Sequence, residues 1–395
     1  MKKIAIIGVG AISSIYLYNL TEVFKEVEIV GFCDLVPGRA EQAAAYIKGQ
    51  QAKGLPCRTP KIYKNMHEAF ADPEVEVVLN LTRPYEHYEV SKAALQAGKH
   101  VYEEKPLAVD MDEGTELYEL ATSKGLLLGG APDTFLGAGI QTARKLIDTG
   151  IIGDIIGADC AMICRGHETW HPDPEFYYKR GGGPMMDMGP YYITALINLL
   201  GEAKAVMGMT KRSFDKRLIT SQPHFGTEVK VEVDTHLAGS IEFTSGAIAT
   251  IVTTFDAHYT SQARLEVYGT EGTLIVPDPN TFGGPVLLFR SEDSIPPAVD
   301  PALAKAEETS PYRGYRQIPL MFGYRENSRG LGLADMCKAI ETKRNFRANS
   351  QQTLHVLEIM TSFPKSSQAK KHIALTTNYK RGKAMQNAAM PGILD

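Results

Sequence analysis

Short apolar runs alternate with segments of helical pattern along the first third of the chain. The apolar runs have few interruptions, which is typical of strands buried on both faces of a parallel sheet. The segments between them are rich in residues of high helix propensity. This alternation predicts a doubly wound parallel sheet with helices on both faces. The predicted strands are 3–8, 28–34, 76–81, 99–102 and 126–128, and the predicted helices are 11–24, 37–53, 85–97 and 110–124.

The pattern changes after about residue 132. A helix at 140–149, a strand at 154–165 and a helix at 187–200 lead into a long β-rich region. Polar and apolar residues alternate there, which predicts an antiparallel sheet with one covered face. The open face would meet either a second subunit or solvent, and the pattern favours neither.

The fold class that follows is α/β, with two domains in a chain of this length. We predict an N-terminal domain at 1–131 and a C-terminal domain at 132–395 with a large, mostly antiparallel open sheet. Helical patterns at 331–341 and 353–363 end the chain and could pack back on the first domain. The Pro-rich stretch 291–319 lacks periodicity, so it is predicted to be a functional or disordered loop.

Composition and charge narrow the class of protein. The net charge is −4 without an evident basic patch, so nucleic acid is not an expected partner. No apolar run approaches the roughly eighteen residues of a membrane-spanning helix. The basic, then apolar N-terminus could begin a signal peptide, but its apolar run is short and a cleavage site is lacking, so a buried strand is preferred. Five scattered cysteines predict free thiols in a reducing cytoplasm.

A glycine-rich turn joins the first predicted strand to the first predicted helix. Its sequence is Gly8-Val9-Gly10-Ala11-Ile12-Ser13. Gly8 would permit the tight turn, Gly10 would let a pyrophosphate approach the backbone, and the helix start at Ala11 and Ile12 would supply N–H donors. Such a turn also occurs without a ligand, so the pattern by itself is weak.

Asp34 strengthens the dinucleotide interpretation. It ends the second strand, where a carboxylate can hydrogen-bond the ribose hydroxyls, although it could also serve only as a cap at the start of a loop. Its charge would repel a 2′-phosphate, which favours NAD over NADP. Arg39 could still neutralise that phosphate, so NADP remains the less favoured alternative.

Lys105 lies just past the strand at 99–102, within Glu104-Lys105-Pro106. Open α/β sheets bind their ligands at the carboxyl ends of the strands. We therefore predict that Lys105 is an acid/base beside the cofactor.

Aromatic and polar residues are concentrated in the 165–178 segment, which holds the chain's single tryptophan. Sugars present hydroxyls around apolar C–H faces, which suits such a mixture, so we predict a substrate-binding loop; a packing loop over the sheet is the alternative. His171 is a reserve acid/base. A metal site at His167 and His171 would need helix geometry that Pro172 and Pro174 oppose, so no metal is expected. The predicted substrate-binding residues are Arg165, Trp170, His171, Tyr177 and Tyr178.

Three elements together resemble the Gfo/Idh/MocA oxidoreductase family over nearly the whole chain. They are the glycine turn, the stretch 97–106 with Glu104-Lys105-Pro106, and the stretch 181–189 with Gly181-Gly182-Gly183 and Asp187-Met188-Gly189. The resemblance implies an N-terminal Rossmann domain, an open-sheet C-terminal domain, and NAD(P)-dependent redox chemistry on sugars, cyclitols or related polyols. It also implies a homodimer or homotetramer formed through the open sheet.

The resemblance also implies roles for single residues. Lys105 becomes the catalytic or substrate-polarising lysine, and its bond to Pro106 could be cis. Asp187 would orient Lys105 or bind substrate hydroxyls, unless it serves only as a helix N-cap. The residues implied to line the nicotinamide side are Thr82, Pro84, His87 and Glu104.

Tyr191 marks a departure from the family pattern. Many members carry Asp-x-Gly-x-His, and Tyr191 stands here in place of that acid/base histidine. In one hypothesis Tyr191 exchanges the proton and the Lys105 cation lowers the pKa of its phenol. In the other, Lys105 is itself the base.

We therefore expect a NAD-dependent oxidoreductase that moves hydride between nicotinamide and a carbinol carbon of a sugar, glycoside or cyclitol. A glycoside-cleaving enzyme that uses NAD transiently, through oxidation and elimination, is an alternative. A non-catalytic NAD or sugar sensor is another, although retention of both Lys105 and Asp187 opposes it.

Overall fold

The computed structural model describes residues 1–293, 314–386 and 394. Its N-terminal sheet has six strands in the order β3-β2-β1-β4-β5-β6, and each pair of neighbours is parallel. The order reverses direction between β1 and β4, where an open α/β sheet forms its ligand crevice. The strands are β1 (Lys2–Ile7), β2 (Val27–Cys33), β3 (Lys61–Ile62), β4 (Val77–Asn80), β5 (His100–Glu103) and β6 (Leu128–Gly130).

Five helices connect these strands. The central strands are buried along their length, as the nearly continuous apolar runs predicted. Pattern reasoning missed only the two-residue β3 and the short third helix, because neither is long enough to show a period. The helices are α1 (Ser13–Glu22), α2 (Arg39–Ala52), α3 (Met66–Ala71), α4 (His87–Gln96) and α5 (Met111–Ser123).

The second sheet has nine strands among the described residues, in the order β16-β15-β14-β13-β7-β12-β11-β8-β17. Its neighbours are antiparallel except for the parallel pair β7 and β12. A separate hairpin is formed by β9 (Lys216–Leu218) and β10 (Glu228–Lys230). The strands of the large sheet are β7 (Ile155–Ile163), β8 (Ala203–Lys211), β11 (His236–Phe243), β12 (Ile248–Thr254), β13 (Leu265–Gly269), β14 (Gly272–Val276), β15 (Val286–Arg290), β16 (Arg316–Ile318) and β17 (Ile373–Ala374).

One face of this sheet is covered by helices. These are α6 (Ala138–Asp148), α7 (Pro184–Leu200) and α9 (Ser350–Ala369), while α8 (Leu331–Thr342) packs near β6. The last helix also reaches the first sheet's layer, because a Cβ at Gly114 in α5 would meet Leu357 and Leu354. The closing helices therefore contact the N-terminal layer.

The opposite face of the large sheet carries exposed apolar side chains. Met207 and Met209 on β8 and Ile248 on β12 are among them. The predicted α/β class, with one parallel and one mostly antiparallel sheet, is confirmed. Most of the predicted 291–319 loop lies outside the described residues. No helix in the described part of the chain is long and apolar enough to cross a bilayer.

Candidate active site

The glycine turn is held by its contact with the strand beside it. Gly8 has φ +86°, a conformation that side chains disfavour, and its N–H donates to Cys33 O at 2.9 Å. A Cβ on Gly8 would lie 2.9 Å from the backbone of Leu81 and of Thr82. Only glycine fits this position without displacing β4.

The next part of the turn leaves room for a ligand. A Cβ at Gly10 would meet no atom of the described chain within 4 Å. The turn is braced from within, since Ser13 Oγ donates to Gly10 O at 2.7 Å. No described side chain caps α1 and its first turn has no acidic residue, while Ala11 and Ile12 are exposed. The N-terminal N–H groups and the helix dipole can therefore face a pyrophosphate, so this cradle fits a dinucleotide.

Asp34 joins the turn to the end of β2. Its Oδ2 accepts from Val9 N at 2.6 Å and its Oδ1 accepts from Val36 N at 2.7 Å. The side chain is partly exposed beside the crevice, where a carboxylate fits a ribose diol. Arg39, the first residue of α2, is exposed and has no hydrogen bond from its side chain to any described residue.

Lys105 is anchored by a single residue of α7, Asp187. Its Nζ donates to Asp187 Oδ1 and to Asp187 O, each at 2.7 Å. Burial lowers the pKa of Lys105, but the charge of Asp187, its hydrogen bond and the nearby Tyr191 and Tyr177 together outweigh burial, so the net pKa is raised. The Lys105–Pro106 bond is cis. Lys105 is thus a stable cation with an oriented side chain.

Asp187 lies in the first turn of α7 but does not cap it. The N-cap position is Gly183, and the Asp187 carboxylate instead bonds Lys105 through Oδ1 and His167 through Oδ2, at 2.8 Å from His167 Nε2. Burial raises the pKa of Asp187, and the cations and donors around it reverse this, leaving a pKa of about 2. The carboxylate is therefore ionised over the working pH range.

His167 completes this cluster, and sequence reasoning considered it only for a metal. Its ring lies against three aromatic rings, with centroids 4.3 Å from Tyr177, 4.7 Å from Phe255 and 5.2 Å from Trp170. Its Nδ1 is buried without a hydrogen-bond partner among the described residues. The sequence places His167 twenty positions before Asp187, and nothing in that spacing signals the contact.

Tyr191 faces the same cluster through its ring. Lys105 Nζ lies 5.4 Å from the ring centroid, and no described hydrogen bond joins the two side chains. Burial raises the pKa of Tyr191, and the opposing charges of Lys105 and Arg329 do not reverse it. Lys105 does act to lower this pKa, as expected, but burial is the larger effect and the net pKa of Tyr191 lies above its usual value.

His171 meets the cluster through its backbone, since its N–H donates to His167 O at 2.9 Å. Its Nδ1 accepts from Asp173 N at 3.0 Å, and its ring packs on Trp170, Phe176 and Tyr177. Burial lowers its pKa. Within the described chain it has no hydrogen bond to Lys105 or Asp187, so its acid/base role stays a prediction.

The remaining residues of the 165–178 segment differ in exposure. Trp170 is 61% exposed and Tyr177 is partly buried against His167. Tyr178 is fully buried, donates to Glu168 and lies beside Arg217, so its predicted contact with substrate is not supported. Arg165 lies over the Phe214 ring, on the hairpin side of the segment.

The residues implied to line the nicotinamide side split into two groups. Glu104 accepts from Tyr16 OH at 2.8 Å, and Thr82 and Pro84 are partly exposed at the crevice. His87 is buried, with Pro106 O at 2.7 Å and Thr82 O at 3.0 Å from its ring nitrogens. We infer that His87 braces the Thr82 and Pro106 loops from behind and does not line the site.

Arg329 is a second residue that sequence reasoning missed. It lies just before α8, and its guanidinium stands 5.9 Å from the Tyr191 ring centroid. No group of three His, Cys, Asp or Glu side chains suited to a metal occurs within the described ranges.

Comparison with known proteins now adds to this geometry. Residues 2–130 match the family model described as an oxidoreductase family with an NAD-binding Rossmann fold. Residues 140–275 match the model of the GFO/IDH/MocA C-terminal domain. The chain belongs to the Gfo/Idh/MocA oxidoreductase family. Both the predicted family and the predicted NAD-binding Rossmann fold are confirmed.

Named relatives cover part of the chain. An inositol 2-dehydrogenase/D-chiro-inositol 3-dehydrogenase of Lactiplantibacillus plantarum is 35% identical over 153 residues, which is 38% of this chain and 41% of that protein. A levoglucosan dehydrogenase of Pseudarthrobacter phenanthrenivorans is 27% identical over 221 residues, 52% of this chain and 56% of that protein. The chain thus spans about half the length of the curated relatives it matches.

Solved structures match over greater length at lower identity. A levoglucosan dehydrogenase in complex with NADH has a TM-score of 0.76 at 20% identity, covering 95% of this chain and 100% of the other. An NAD binding oxidoreductase from Klebsiella pneumoniae has a TM-score of 0.77, with the same identity and coverage. At this identity the likeness establishes the fold.

Proposed function

We propose that this protein is an NAD-dependent oxidoreductase acting on a carbinol carbon of a sugar, glycoside or cyclitol. The observation that carries the proposal is the part-buried Lys105–Asp187–His167 cluster at the carboxyl end of β5. The names of the relatives, an inositol and a levoglucosan dehydrogenase, support this substrate class. Asp34 supports NAD over NADP, because its carboxylate occupies the ribose end of the cradle.

Lys105 would hold the reacting oxygen of the substrate. An ammonium has three N–H donors, and two of those of Lys105 go to Asp187. The third is left for a substrate oxygen, where the cation stabilises developing negative charge. Bound NAD supplies the hydride chemistry.

The proton balance of Lys105 would be set through Asp187. With its raised pKa, Lys105 suits the role of acid toward an alkoxide or carbonyl oxygen. To act as the base in oxidation, it must be held less tightly by Asp187. His167 donates to the second oxygen of Asp187 and so shares that negative charge. We therefore assign to Lys105 the exchange of the proton with the substrate oxygen. His167 has a positioning role, because it orients Asp187 and shares its charge.

The test is a substrate panel with purified protein. NAD reduction is followed by absorbance with sugars, polyols, cyclitols and glycosides, and NADP serves as the comparison cofactor. We expect reduction with at least one member, stronger with NAD, and lost in Lys105→Met. Cleavage of a glycoside without net NADH would select the glycoside-cleaving alternative. Tight NADH binding without turnover of any member would count against the proposal.

The open face of the large sheet would form the interface with a second copy. Its exposed methionines on β8 and Ile248 on β12 support such an association, giving a homodimer or homotetramer. Analytical ultracentrifugation would measure this oligomeric state.

All five cysteines are free thiols, which supports the reducing cytoplasm as the location of the protein.

A further inference from the structure

The guanidinium of Arg329 forms no ion pair with a carboxylate of the described residues. Its Nη1 donates to Asn327 Oδ1 at 2.8 Å and its Nη2 donates to Asn280 Oδ1 at 2.9 Å. Its third neighbour is the Tyr191 ring, whose centroid lies 5.9 Å from the guanidinium. All three partners are neutral, and no carboxylate of the described chain lies within ion-pair distance. Partly buried arginines ordinarily bond a carboxylate or another anion, so this guanidinium is free to take one.

The two carboxylates whose charge acts on Arg329, Glu104 and Asp133, are hydrogen-bonded to other groups. Glu104 accepts from Tyr16 OH at 2.8 Å and from Lys105 N at 3.1 Å. Asp133 Oδ2 accepts from the N–H groups of Gly330 at 2.8 Å and Gly332 at 3.1 Å. Both act on Arg329 through their charge but neither forms an ion pair with it.

The backbone around Arg329 is fixed from two sides. Asn19 of α1, which is buried, donates to the carbonyls of Asn327 at 2.9 Å and of Arg329 at 2.8 Å. On the other side, Asp133 holds the N–H of Gly330, whose φ is +99°. Arg329 is therefore presented from a rigid segment, and its side chain does not depend on a mobile loop for its direction.

Arg329 lies at the reacting end of the site. Lys105 Nζ lies 5.4 Å from the centroid of the Tyr191 ring, and Arg329 Cζ lies 5.9 Å from it. Lys105 is in an ion pair with Asp187, whereas Arg329 feels Glu104 and Asp133 only at a distance and has no ion pair within the described chain, so its N–H groups are the ones open to an anionic ligand. The donors for a pyrophosphate are elsewhere, at Gly10 and the start of α1. The oxyanion that suits Arg329 therefore belongs on the substrate.

Resting on the oxidoreductase function proposed above, we propose that Arg329 binds the carboxylate of an acidic substrate. The substrate class is then a sugar acid, such as an aldonate or uronate, with its carbinol carbon at Lys105. A planar guanidinium matches a carboxylate with two parallel N–H donors. A phosphate of the cofactor has the same chemistry, and the experiment distinguishes the two sources.

The test compares each sugar acid with its neutral counterpart, gluconate with glucitol and glucuronate with glucose. Binding to the protein–NADH complex is measured by isothermal titration, and NADH affinity is measured separately by fluorescence. We expect one acid to bind at least about tenfold more tightly than its neutral counterpart. Arg329→Gln should abolish this roughly tenfold difference, since a hydrogen bond to a charged group contributes at least about that much. NADH affinity should change less than about twofold. Arg329→Lys should keep part of the preference for the acid, because the positive charge remains but the two parallel N–H donors of the guanidinium are lost.

Arg325→Gln is the matched control, since Arg325 is exposed on the same segment and donates only to Leu320 O among its described contacts. Equal loss of acid and neutral binding in Arg329→Gln would overturn the proposal, as would a wild type without preference for acids. Loss of NADH affinity instead would assign Arg329 to the cofactor. Binding without turnover would refute the oxidoreductase proposal and leave this one standing.

Discussion

The cofactor cradle and the Lys105 cluster are built in different ways. The cradle uses Gly8, Gly10, Ser13 and Asp34, which lie within one strand–helix–strand unit. The cluster brings together Lys105 after β5, His167 after β7 and Asp187 in α7. The cradle is set by backbone geometry, whereas the cluster is set by packing of the two halves of the chain. A substitution in the cradle should therefore affect mainly the substituted position. A substitution in the cluster should affect all three of its residues.

Electrostatics separates the two regions further. In the cluster, opposite charges and hydrogen bonds overcome the effect of burial, so the pKa of Lys105 is raised and that of Asp187 is lowered to about 2. Each group owes its state to the others, so removing one changes the protonation of the rest. The cradle offers N–H groups and a helix dipole, which do not titrate. Substitutions can test this contrast directly.

The largest expected effect is on turnover in Lys105→Met. Loss of the ammonium removes the donor to the substrate oxygen, so kcat should fall by at least about a hundredfold. NADH affinity, measured by fluorescence, should change less than about twofold because the cradle is separate. Lys99→Met is the control, since Lys99 donates only to the carbonyls of Asp72 and Val75. A comparable loss of NADH binding in Lys105→Met would show that the two regions are not independent.

The next effect is on cofactor binding in Gly8→Ala. Its Cβ would press on the backbone of Leu81 and Thr82, and its φ of +86° is strained for alanine. We expect the free energy of unfolding to fall by about 2 kcal/mol and NADH affinity to weaken. Gly98→Ala is the matched control, because Gly98 has φ +79° with open space around it. If chemical denaturation gives both variants the same loss, the contact with β4 is unimportant.

A smaller effect is expected on the pH profile in His167→Phe. Without the His167 donor, Asp187 concentrates its charge on Lys105 and raises the pKa of the lysine further. Oxidation that needs deprotonated Lys105 should then require a higher pH, so the rising limb of the kcat profile moves to more alkaline values. His171→Phe should leave the limb in place. A fall in rate without movement of the limb would make His167 merely structural.

The smallest effect is expected for Tyr191→Phe. Burial raises the pKa of the phenol, so we expect it to stay protonated and to carry little of the proton transfer. The ring against Lys105 is kept, and kcat should fall less than about fivefold. Steady-state kinetics on the best substrate of the panel measures this. A fall in kcat as large as that of Lys105→Met would show that Tyr191 carries out the proton transfer.

Much of the fold was predictable because its signals are local. Strands β1, β2 and β4 carry nearly continuous apolar runs, and the glycine turn and Asp34 lie at strand ends that those runs define. Lys105 was found for the same reason, since its strand precedes it directly. His167 and Arg329 escaped because each is an ordinary residue in its own segment, and only folding gives it partners.

The sequence by itself determined the order of strands and helices, the cradle and the lysine at the end of β5, because backbone conformation and side-chain period act over a few residues. Only the tertiary structure decided what surrounds Lys105. It placed His167 beside Asp187, buried Tyr178 away from the crevice and put Arg329 against Tyr191. The physical reason is that desolvation and Coulomb forces depend on distance in space, which the chain reaches only when its two sheets pack together.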